Sequence, residues 1–347
     1  MKKLCGFLIV AFSIGFLAIT PLAFGQGATQ KVIFDTDFVI PPQDDGMALI
    51  LALKSPELQI LGVTTVAGNG TMQRATSDAL RVLEIAGRSD IGVYPGANRP
   101  LVHEKTDWAT TVHGKWWSDE PPPAPPGGFA KTQAQTEGAV DFMIRTVEAN
   151  PGQVTIIALG PLTNVANAIR QDSGFASKVK QLSIMGGAIA SLSDGGGNVT
   201  PNAEFNTWVD PEACKVVFDS GIPMVLTPLN VTRKTVFGKD FYDKLVAVDT
   251  PLTRLIKERL GPGFATNTNR RGGLVDQLVV ASLIDPTLVK TVELYVDVDI
   301  NHGPDYGTTP GAPKVWEGGE DARKMTVQYD VDAQRAAQFY VDHVARP

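Results

Sequence analysis

Four aspartates lie close together near the amino terminus, in the stretch FDTDFVIPPQDDGMALILAL at residues 34–53. Asp35 and Asp37 follow one apolar run, and Asp44 and Asp45 precede another, so all four lie where two buried elements meet. Carboxylates this close must take up protons or share a cation. An all-oxygen cluster suits a hard ion such as Ca²⁺, so the stretch predicts a metal site.

Two other interpretations of these aspartates stay open. Asp44 and Asp45 are of a residue type that often caps helices, and they could simply face solvent at a helix start. A strand that ends in DxD is also found in haloacid dehalogenase phosphatases, where the first aspartate is a nucleophile. Those enzymes need an acidic pair far downstream after another strand, whereas here the DD pair follows within the same stretch.

The elements that must position these residues form a repeating pattern. From Lys31 onward, short β-branched runs alternate with helical stretches, which is typical of βαβ units. The expected strands are 32–34, 60–65, 92–94, 154–159, 181–185, 224–227, 292–298 and 325–331. The expected helices are 46–54, 72–87, 137–149, 162–171, 211–220, 239–258, 277–284 and 333–344. We therefore expect one Rossmann-like α/β domain over residues 26–347, with a mostly parallel sheet flanked by helices.

The amino terminus has the features of an export signal. Lys2 and Lys3 precede an apolar run from Leu4 to about Ile19, followed by small residues up to Gly25. This pattern predicts a signal peptide over residues 1–25 and a secreted or periplasmic protein without membrane contact after cleavage. An uncleaved anchor is the alternative, although the run is shorter than the roughly 20 residues of a membrane span.

Charge and cysteine content narrow the class of partner. The chain has a net charge of −6, which argues against a nucleic-acid polymer as partner but not against small nucleosides. Removal of the leader takes away Cys5 and leaves Cys214 alone, so we expect no internal disulfide.

Several further motifs follow the aspartates in order. They are TTVAGN (64–69), ALGPLTNVA (158–166), IMGG (184–187), GNVTPNAEFNTWVDPEA (197–213), PLNVT (228–232) and VDQLVVASLIDP (275–286). Together with the aspartates, they resemble the nucleoside hydrolases, which are calcium-dependent N-ribohydrolases. The resemblance extends over residues 31–290 and implies the nucleoside hydrolase fold, with Ca²⁺ as cofactor. It also implies that ribonucleosides are hydrolysed to ribose and free base.

The same resemblance implies roles at the metal. The implied Ca²⁺ ligands are Asp37, Asp45, the main-chain carbonyl of Thr163, and Asp276. Asp37 would also act as general base on a calcium-bound water, and Asp44 would hold the ribose 2′-hydroxyl. Asp35 would support these groups from behind.

A second set of residues matches the sugar-binding positions of the family. These residues are Asn69, Met185, Asn198, Glu204 and Asn206. An amide both donates and accepts hydrogen bonds, and a carboxylate accepts from a hydroxyl, so such residues suit a polyol. Any one asparagine could be an ordinary turn residue, but the grouping in AGN and AEFN favours the sugar site.

The sequence departs from the family pattern at two positions. The six residues FVIPPQ separate DTD from DD, where most relatives have three including a glycine. Asp44 and Asp45 can then reach the metal only if Pro41 and Pro42 form a bulge. At the second position, Val275 stands where many relatives have a histidine that protonates the leaving base.

A loop rich in aromatic residues is expected to contact the base. His113 matches a family histidine near the base and is predicted to be catalytic, and Trp116 is predicted to bind substrate. Trp108 and Trp117 lie in the same loop, and tryptophan faces can sandwich a purine, so the sequence favours purine nucleosides. Loop packing is the alternative interpretation for each of these residues.

A noncatalytic alternative also stays open. The longer spacing and the missing histidine are compatible with a calcium-dependent ribonucleoside-binding protein that does not cleave its ligand. The family resemblance also implies a homo-oligomer, although no part of the sequence identifies an interface.

Overall fold

A computed structural model describes residues 29–40, 43–103, 118 and 120–346 of the chain. The predicted signal peptide lies outside the described residues, as do Pro41, Pro42, Trp108, His113, Trp116 and Trp117. Among the helices that the structure describes, none is long and apolar enough to cross a membrane.

A nine-stranded sheet forms the centre of the described part of the chain, with strand order β3-β2-β1-β4-β5-β6-β9-β7-β8. The strands are β1 Gln30–Thr36, β2 Leu58–Thr65, β3 Val93–Pro95, β4 Val154–Ala158, β5 Gln181–Met185, β6 Met224–Thr227, β7 Val289–Val296, β8 Gly311–Ala312 and β9 Arg323–Val331. Neighbouring strands are parallel from β3 through to β9, whereas β7 pairs antiparallel with both β9 and β8. The predicted fold class, a mostly parallel sheet flanked by helices, is confirmed.

Helices connect most of the strands. They are α1 Asp44–Leu53, α2 Met72–Ile85, α3 Ala139–Ala149, α4 Thr163–Gln171, α5 Phe175–Lys178, α6 Phe205–Val209, α7 Pro211–Phe218, α8 Leu229–Thr232, α9 Lys239–Val246, α10 Pro251–Thr266, α11 Asp276–Ile284 and α12 Ala333–Val344, with a short 3₁₀ helix at Pro286–Leu288. The prediction of a single helix over 239–258 is wrong, because α9 ends at Val246 and a separate helix, α10, begins at Pro251. Thr250 caps α10 through the Thr253 N–H, and Pro251 occupies its first position.

The two faces of the sheet bury two separate hydrophobic clusters. Successive side chains of a strand point to opposite faces, so Val32 and Phe34 join one cluster while Ile33 joins the other. Helices α1, α2, α11 and α12 contribute to the first cluster, and α3, α4 and α7 contribute to the second. The central strand β4 is buried along its whole length, as expected of a parallel sheet covered on both faces.

Strand β1 occupies the position that matters most for ligand binding. It pairs with β2 on one side and β4 on the other, so the chain reverses its direction of travel across the sheet at this point. Ligands of open α/β sheets bind beyond the carboxyl ends of the strands at such a switch. The DTD motif ends β1 at this place.

Candidate active site

The acidic cluster is assembled from three segments of the chain. Asp37 directly follows β1, Asp44 and Asp45 begin α1, and Asp276 begins α11, which packs against α1. Carboxylate oxygens of Asp44, Asp45 and Asp276 all lie within 4.8 Å of one another. The packing of the two helices therefore joins acids from opposite ends of the chain at one point.

Asn69 links the two acids that flank the DTD-to-DD connection. Its backbone N–H donates to Asp37 Oδ2 at 2.6 Å, and its Nδ2 donates to Asp45 Oδ2 at 2.9 Å. Neighbouring glycines let the chain approach Asp37, because a Cβ on Gly68 would overlap the Asp37 carboxylate and one on Gly160 would lie 3.1 Å from its Cγ. The loops after β2 and β4 can close around Asp37 only without side chains at these positions.

The DTD motif is held from below by neighbouring polar side chains. Asp35 Oδ1 accepts hydrogen bonds from Thr64 Oγ1 at 2.6 Å and from Asn164 Nδ2 at 2.8 Å. Thr36 Oγ1 donates to Asp45 Oδ1 at 2.5 Å. The sequence alone did not predict a role for Asn164, although this residue belongs to the motif ALGPLTNVA.

Thr163 is held in place by an acid that the sequence reasoning also missed. Its Oγ1 donates to Asp210 Oδ2 at 2.6 Å, and the Leu101 N–H donates to the same oxygen at 2.9 Å. The other oxygen of Asp210 caps α7 through the Ala213 N–H at 3.1 Å. The local signal was an aspartate followed by Pro211, a pairing common at helix starts.

Burial shapes the electrostatics of the cluster. Burial is the largest cause, and the charge of Asp45 the second largest, that raises the pKa of both Asp37 and Asp276 well above the usual range. The same two causes raise the pKa of half-buried Asp44 to about 6. Carboxylates with pKa values raised in this way hold protons unless a cation balances their charge.

One carboxylate oxygen of the cluster indicates a metal site. Asp276 Oδ1 is buried and has no hydrogen-bond partner among the described residues. A buried carboxylate oxygen without a donor is costly, and a cation would satisfy it. The other atoms nearby that could bind an ion are carboxylate oxygens, which are the ligands that Ca²⁺ prefers. The residues present therefore fit a hard divalent ion.

A pocket of about 290 Å³ opens over the cluster. Small-molecule sites span roughly 300–1,000 Å³, so this pocket has the size of a site for a compact ligand. All five predicted sugar-binding residues line it, together with Asp44, Asp45 and Asp276. Its apolar wall includes Leu229, Phe205 and Val275.

The polar side of the pocket is fixed by backbone hydrogen bonds. Glu204 Oε1 accepts from the Asn206 N–H at 2.9 Å, and Oε2 accepts from the Thr207 and Gly187 N–H groups at 3.1 Å each. Asn206 Nδ2 donates to the Leu159 carbonyl at 2.6 Å, and Asn198 Oδ1 accepts from the Phe205 N–H at 2.8 Å. The amide nitrogen of Asn206 is thus engaged by main-chain carbonyls, those of Leu159 and Met185.

Comparison with known proteins identifies the chain. The family described as "Inosine-uridine preferring nucleoside hydrolase" matches residues 32–338. A pyrimidine-specific ribonucleoside hydrolase, RihB, from Escherichia coli O17:K52:H18 (strain UMN026 / ExPEC) is 37% identical over 287 residues, which cover 81% of this chain and 86% of the relative. The chain belongs to the nucleoside hydrolase family.

Solved structures of nucleoside hydrolases share the fold. A plant nucleoside hydrolase, the PpNRh1 enzyme, aligns with a TM-score of 0.76 and 31% identity over 92% of this chain and 100% of that one. A purine-preferring ribonucleoside hydrolase from Gardnerella vaginalis aligns with a TM-score of 0.73 and 28% identity over 91% and 98%. The Gardnerella vaginalis enzyme is named as purine-preferring and RihB as pyrimidine-specific, so relatives of this chain differ in the base that their names specify.

Family membership fixes the type of reaction. The chain is an N-ribosyl hydrolase, an enzyme that acts on small-molecule ribonucleosides. The noncatalytic and phosphatase alternatives are therefore set aside.

Proposed function

We propose that the acidic cluster binds one Ca²⁺ and that this ion serves the hydrolysis of ribonucleosides to ribose and free base. The observation that carries the proposal is the buried Oδ1 of Asp276, which accepts no hydrogen bond from any described residue and lies beside the carboxylates of Asp44 and Asp45. The ligands would be Asp37, Asp45 and Asp276, with the main-chain carbonyl of Thr163. A divalent ion there would supply Lewis acidity, which favours ionisation of water and orients hydroxyl groups.

The protein groups divide the remaining work. Asp37 Oδ2 accepts a short hydrogen bond from the Asn69 N–H at 2.6 Å, whereas Oδ1 accepts only a long one from Asn69 Nδ2 at 3.4 Å, so Oδ1 is the oxygen that we assign to take a proton from the attacking water. Asp44 accepts a hydrogen bond from the ribose 2′-hydroxyl at the pocket floor. Cleavage passes through a ribosyl cation, and the negative cluster stabilises the positive charge that develops on the sugar.

The ribose binds in the polar cup above the cluster. Asn69, Asn198 and Asn206 present amide groups to it, and Glu204 presents a carboxylate held by three backbone N–H groups. Met185 gives the cup an apolar surface beneath the sugar. On the base side, Val275 supplies no proton donor, so His113 is the residue that we propose for this role.

The test of the metal is ribose release in the presence and absence of a calcium chelator. We expect chelation to abolish release and added Ca²⁺ to restore it. Asp276→Asn should need far more Ca²⁺, while Asp240→Asn, which alters an exposed acid at the start of α9, should behave as the parent. Full activity after chelation would overturn the metal assignment and leave the hydrolase assignment untouched.

Base preference is a separate part of the proposal. The tryptophans that favour purines lie outside the described residues, while the 37% identical relative is named as pyrimidine-specific. We retain purine nucleosides as the proposed substrates, with stacking on Trp116 as the reason. A higher kcat/KM for inosine and adenosine than for uridine supports this preference, and the reverse order overturns it.

Export and self-association complete the proposal. We propose that residues 1–25 are removed on export to the periplasm or medium, which amino-terminal sequencing of the mature protein would test. We also propose that the enzyme is a homo-oligomer, to be tested by its mass in solution.

A further inference from the structure

The connector between DTD and DD, residues 38–43, is the part of the site that departs from the family spacing. Phe38, Val39 and Ile40 are buried, and Gln43 precedes the first turn of α1 with its carbonyl accepting from the Met47 N–H at 2.9 Å. The connector therefore joins Asp37 to Asp44 and Asp45. Whatever fixes its path also fixes the separation of these acids.

Two side chains of helix α2 bind the main-chain N–H and the main-chain carbonyl of Ile40, in the middle of the connector. Asp78 Oδ2 accepts from the Ile40 N–H at 2.7 Å, and Arg74 Nη2 donates to the Ile40 carbonyl at 3.2 Å. Arg74 and Asp78 also pair with each other, with Nε and Oδ2 separated by 3.4 Å. The two side chains form a clamp that supplies hydrogen-bond partners for the main-chain N–H and carbonyl of the buried residue Ile40.

The loop before α2 holds the two ends of the same connector. Asn69 bonds Asp37 at one end and Asp45 at the other, and a Cβ on Gly70 would lie 3.0 Å from Val39 Cγ1. Thr71 then caps α2 through the Arg74 N–H at 3.2 Å. The loop and the first two turns of α2 therefore contact the connector at Ile40 and contact the flanking acids Asp37 and Asp45.

Asp78 is an unfavourable choice for the stability of α2 alone. It lies on the buried face of the helix among Ala75, Ala79 and Val82 and is only 2% exposed. Burial raises its pKa to about 6, although the Ile40 N–H and Arg74 act in the opposite direction. Aspartate is a poor helix former, and an apolar residue would fill this position at no such cost. Its contacts, and not the helix, account for its presence.

We propose that Asp78, with Arg74, is a positioning residue that sets the connector so that Asp37, Asp44 and Asp45 converge on one site. The clamp compensates for the three extra residues of the connector by tying its midpoint to a rigid helix. Asp78 acts through Ile40 and does not touch the substrate. Displacement of reacting groups by about 1 Å can cost around 100-fold in rate, so loss of the clamp should appear in catalysis.

The first test compares three variants in ribose release. Asp78→Ala removes the acceptor for the Ile40 N–H, and we expect kcat to fall by about 10- to 100-fold. Asp78→Asn keeps an oxygen in the same place and should rescue most of the loss. Val82→Ala is the matched control, because it removes buried side-chain volume one turn further along α2 and leaves the hydrogen bonds to Ile40 in place.

Stability is measured in parallel by urea denaturation, and rates are measured well below every unfolding midpoint. The proposal is supported if Asp78→Ala loses catalysis while Val82→Ala, with a comparable loss of stability, does not. It is overturned if the two variants lose activity in proportion to stability. It is equally overturned if Asp78→Asn is as impaired as Asp78→Ala.

A second readout is the Ca²⁺ concentration that gives half of the calcium-induced rise in Tm. We expect this concentration to increase about tenfold in Asp78→Ala and to stay unchanged in Val82→Ala, since misplaced carboxylates bind the ion less well. Only this readout rests on the proposed calcium site. If the parent protein shows no calcium response, the proposed metal fails, while the kinetic comparison still decides the role of Asp78.

Discussion

Asn164 connects three strand ends beneath the acidic cluster. Its Nδ2 donates to Asp35 Oδ1 at 2.8 Å and to the Thr65 carbonyl at 3.0 Å, and its Oδ1 accepts from the Ala97 N–H at 2.8 Å. These groups follow or end β1, β2 and β3. The residue is fully buried, so each partner would lose its hydrogen bond without gaining water.

Asn164→Ala should therefore be strongly destabilising. A buried polar group left unpaired costs roughly 1–3 kcal/mol, so we expect the free energy of unfolding to fall by about 3 kcal/mol. Urea denaturation measures this change. Asn167→Ala, at a half-buried position of the same helix, is the control and should be neutral or slightly stabilising, because alanine favours helix. Equal stability of the two variants would contradict the role of Asn164.

Residues differ in how far the sequence reveals them. Asp37, Asp45 and Asp276 have side chains of a type that can bind a metal or a proton, so residue type and motif were enough to predict a role for them. Asn164, Asp210 and Asp78 act by pairing with particular backbone groups. Which groups they meet depends on how loops from different strands converge, and spacing along the chain does not contain that information.

Among the elements, the short helix α6 joins the pocket over the acidic cluster to the fold. Glu204 is its N-cap, and its two carboxylate oxygens accept from three backbone N–H groups. Gly187, one of the three donors, lies just beyond β5 and has a φ of +81° that disfavours other residues. A single carboxylate thus orders both a helix start and a strand end at the pocket wall.

Glu204→Gln should impair both binding and stability. The amide nitrogen of glutamine cannot accept, so at least one backbone N–H loses its partner, and we expect a loss of about 1–2 kcal/mol in unfolding free energy. We also expect KM for the nucleoside to rise, because the cup changes shape. Asp332→Asn, which alters the cap of α12 at the Arg335 N–H, is the control and should leave KM unchanged. A normal KM in Glu204→Gln would separate the cap from ribose binding.

Element prediction succeeded where hydrophobic patterns were long and failed where tertiary contacts decide. The parallel strands and the helices between them were expected within a few residues. The break between α9 and α10 was missed, although Thr250 followed by Pro251 is a helix-start signal. The five-residue α6 and the four-residue α8 have too few residues for a periodic pattern.

Over the whole molecule, the acidic cluster opposes folding unless its charge is balanced. Asp35 and Asp44 each have a pKa raised to about 6, chiefly by burial, and burial also raises the pKa values of Asp37 and Asp276 well above the usual range. A carboxyl group whose pKa is higher in the folded state stabilises the fold below its unfolded pKa of about 3.9. That stability is lost as the pH rises through the folded pKa. Calcium-free protein should therefore become less stable between about pH 4 and pH 7.

Calcium should reverse this trend, because it binds only deprotonated carboxylates. We expect the calcium-induced rise in Tm to be smaller near pH 5 than near pH 7.5, because the raised pKa values of the proposed ligands Asp37, Asp45 and Asp276 favour their protonated forms at the lower pH. Thermal unfolding with chelator or with saturating Ca²⁺ at each pH measures the difference. Asp276→Asn removes a ligand from the cluster and should flatten the response. A rise in Tm that is independent of pH, or that survives in Asp276→Asn, would mean that calcium stabilises the protein from another site.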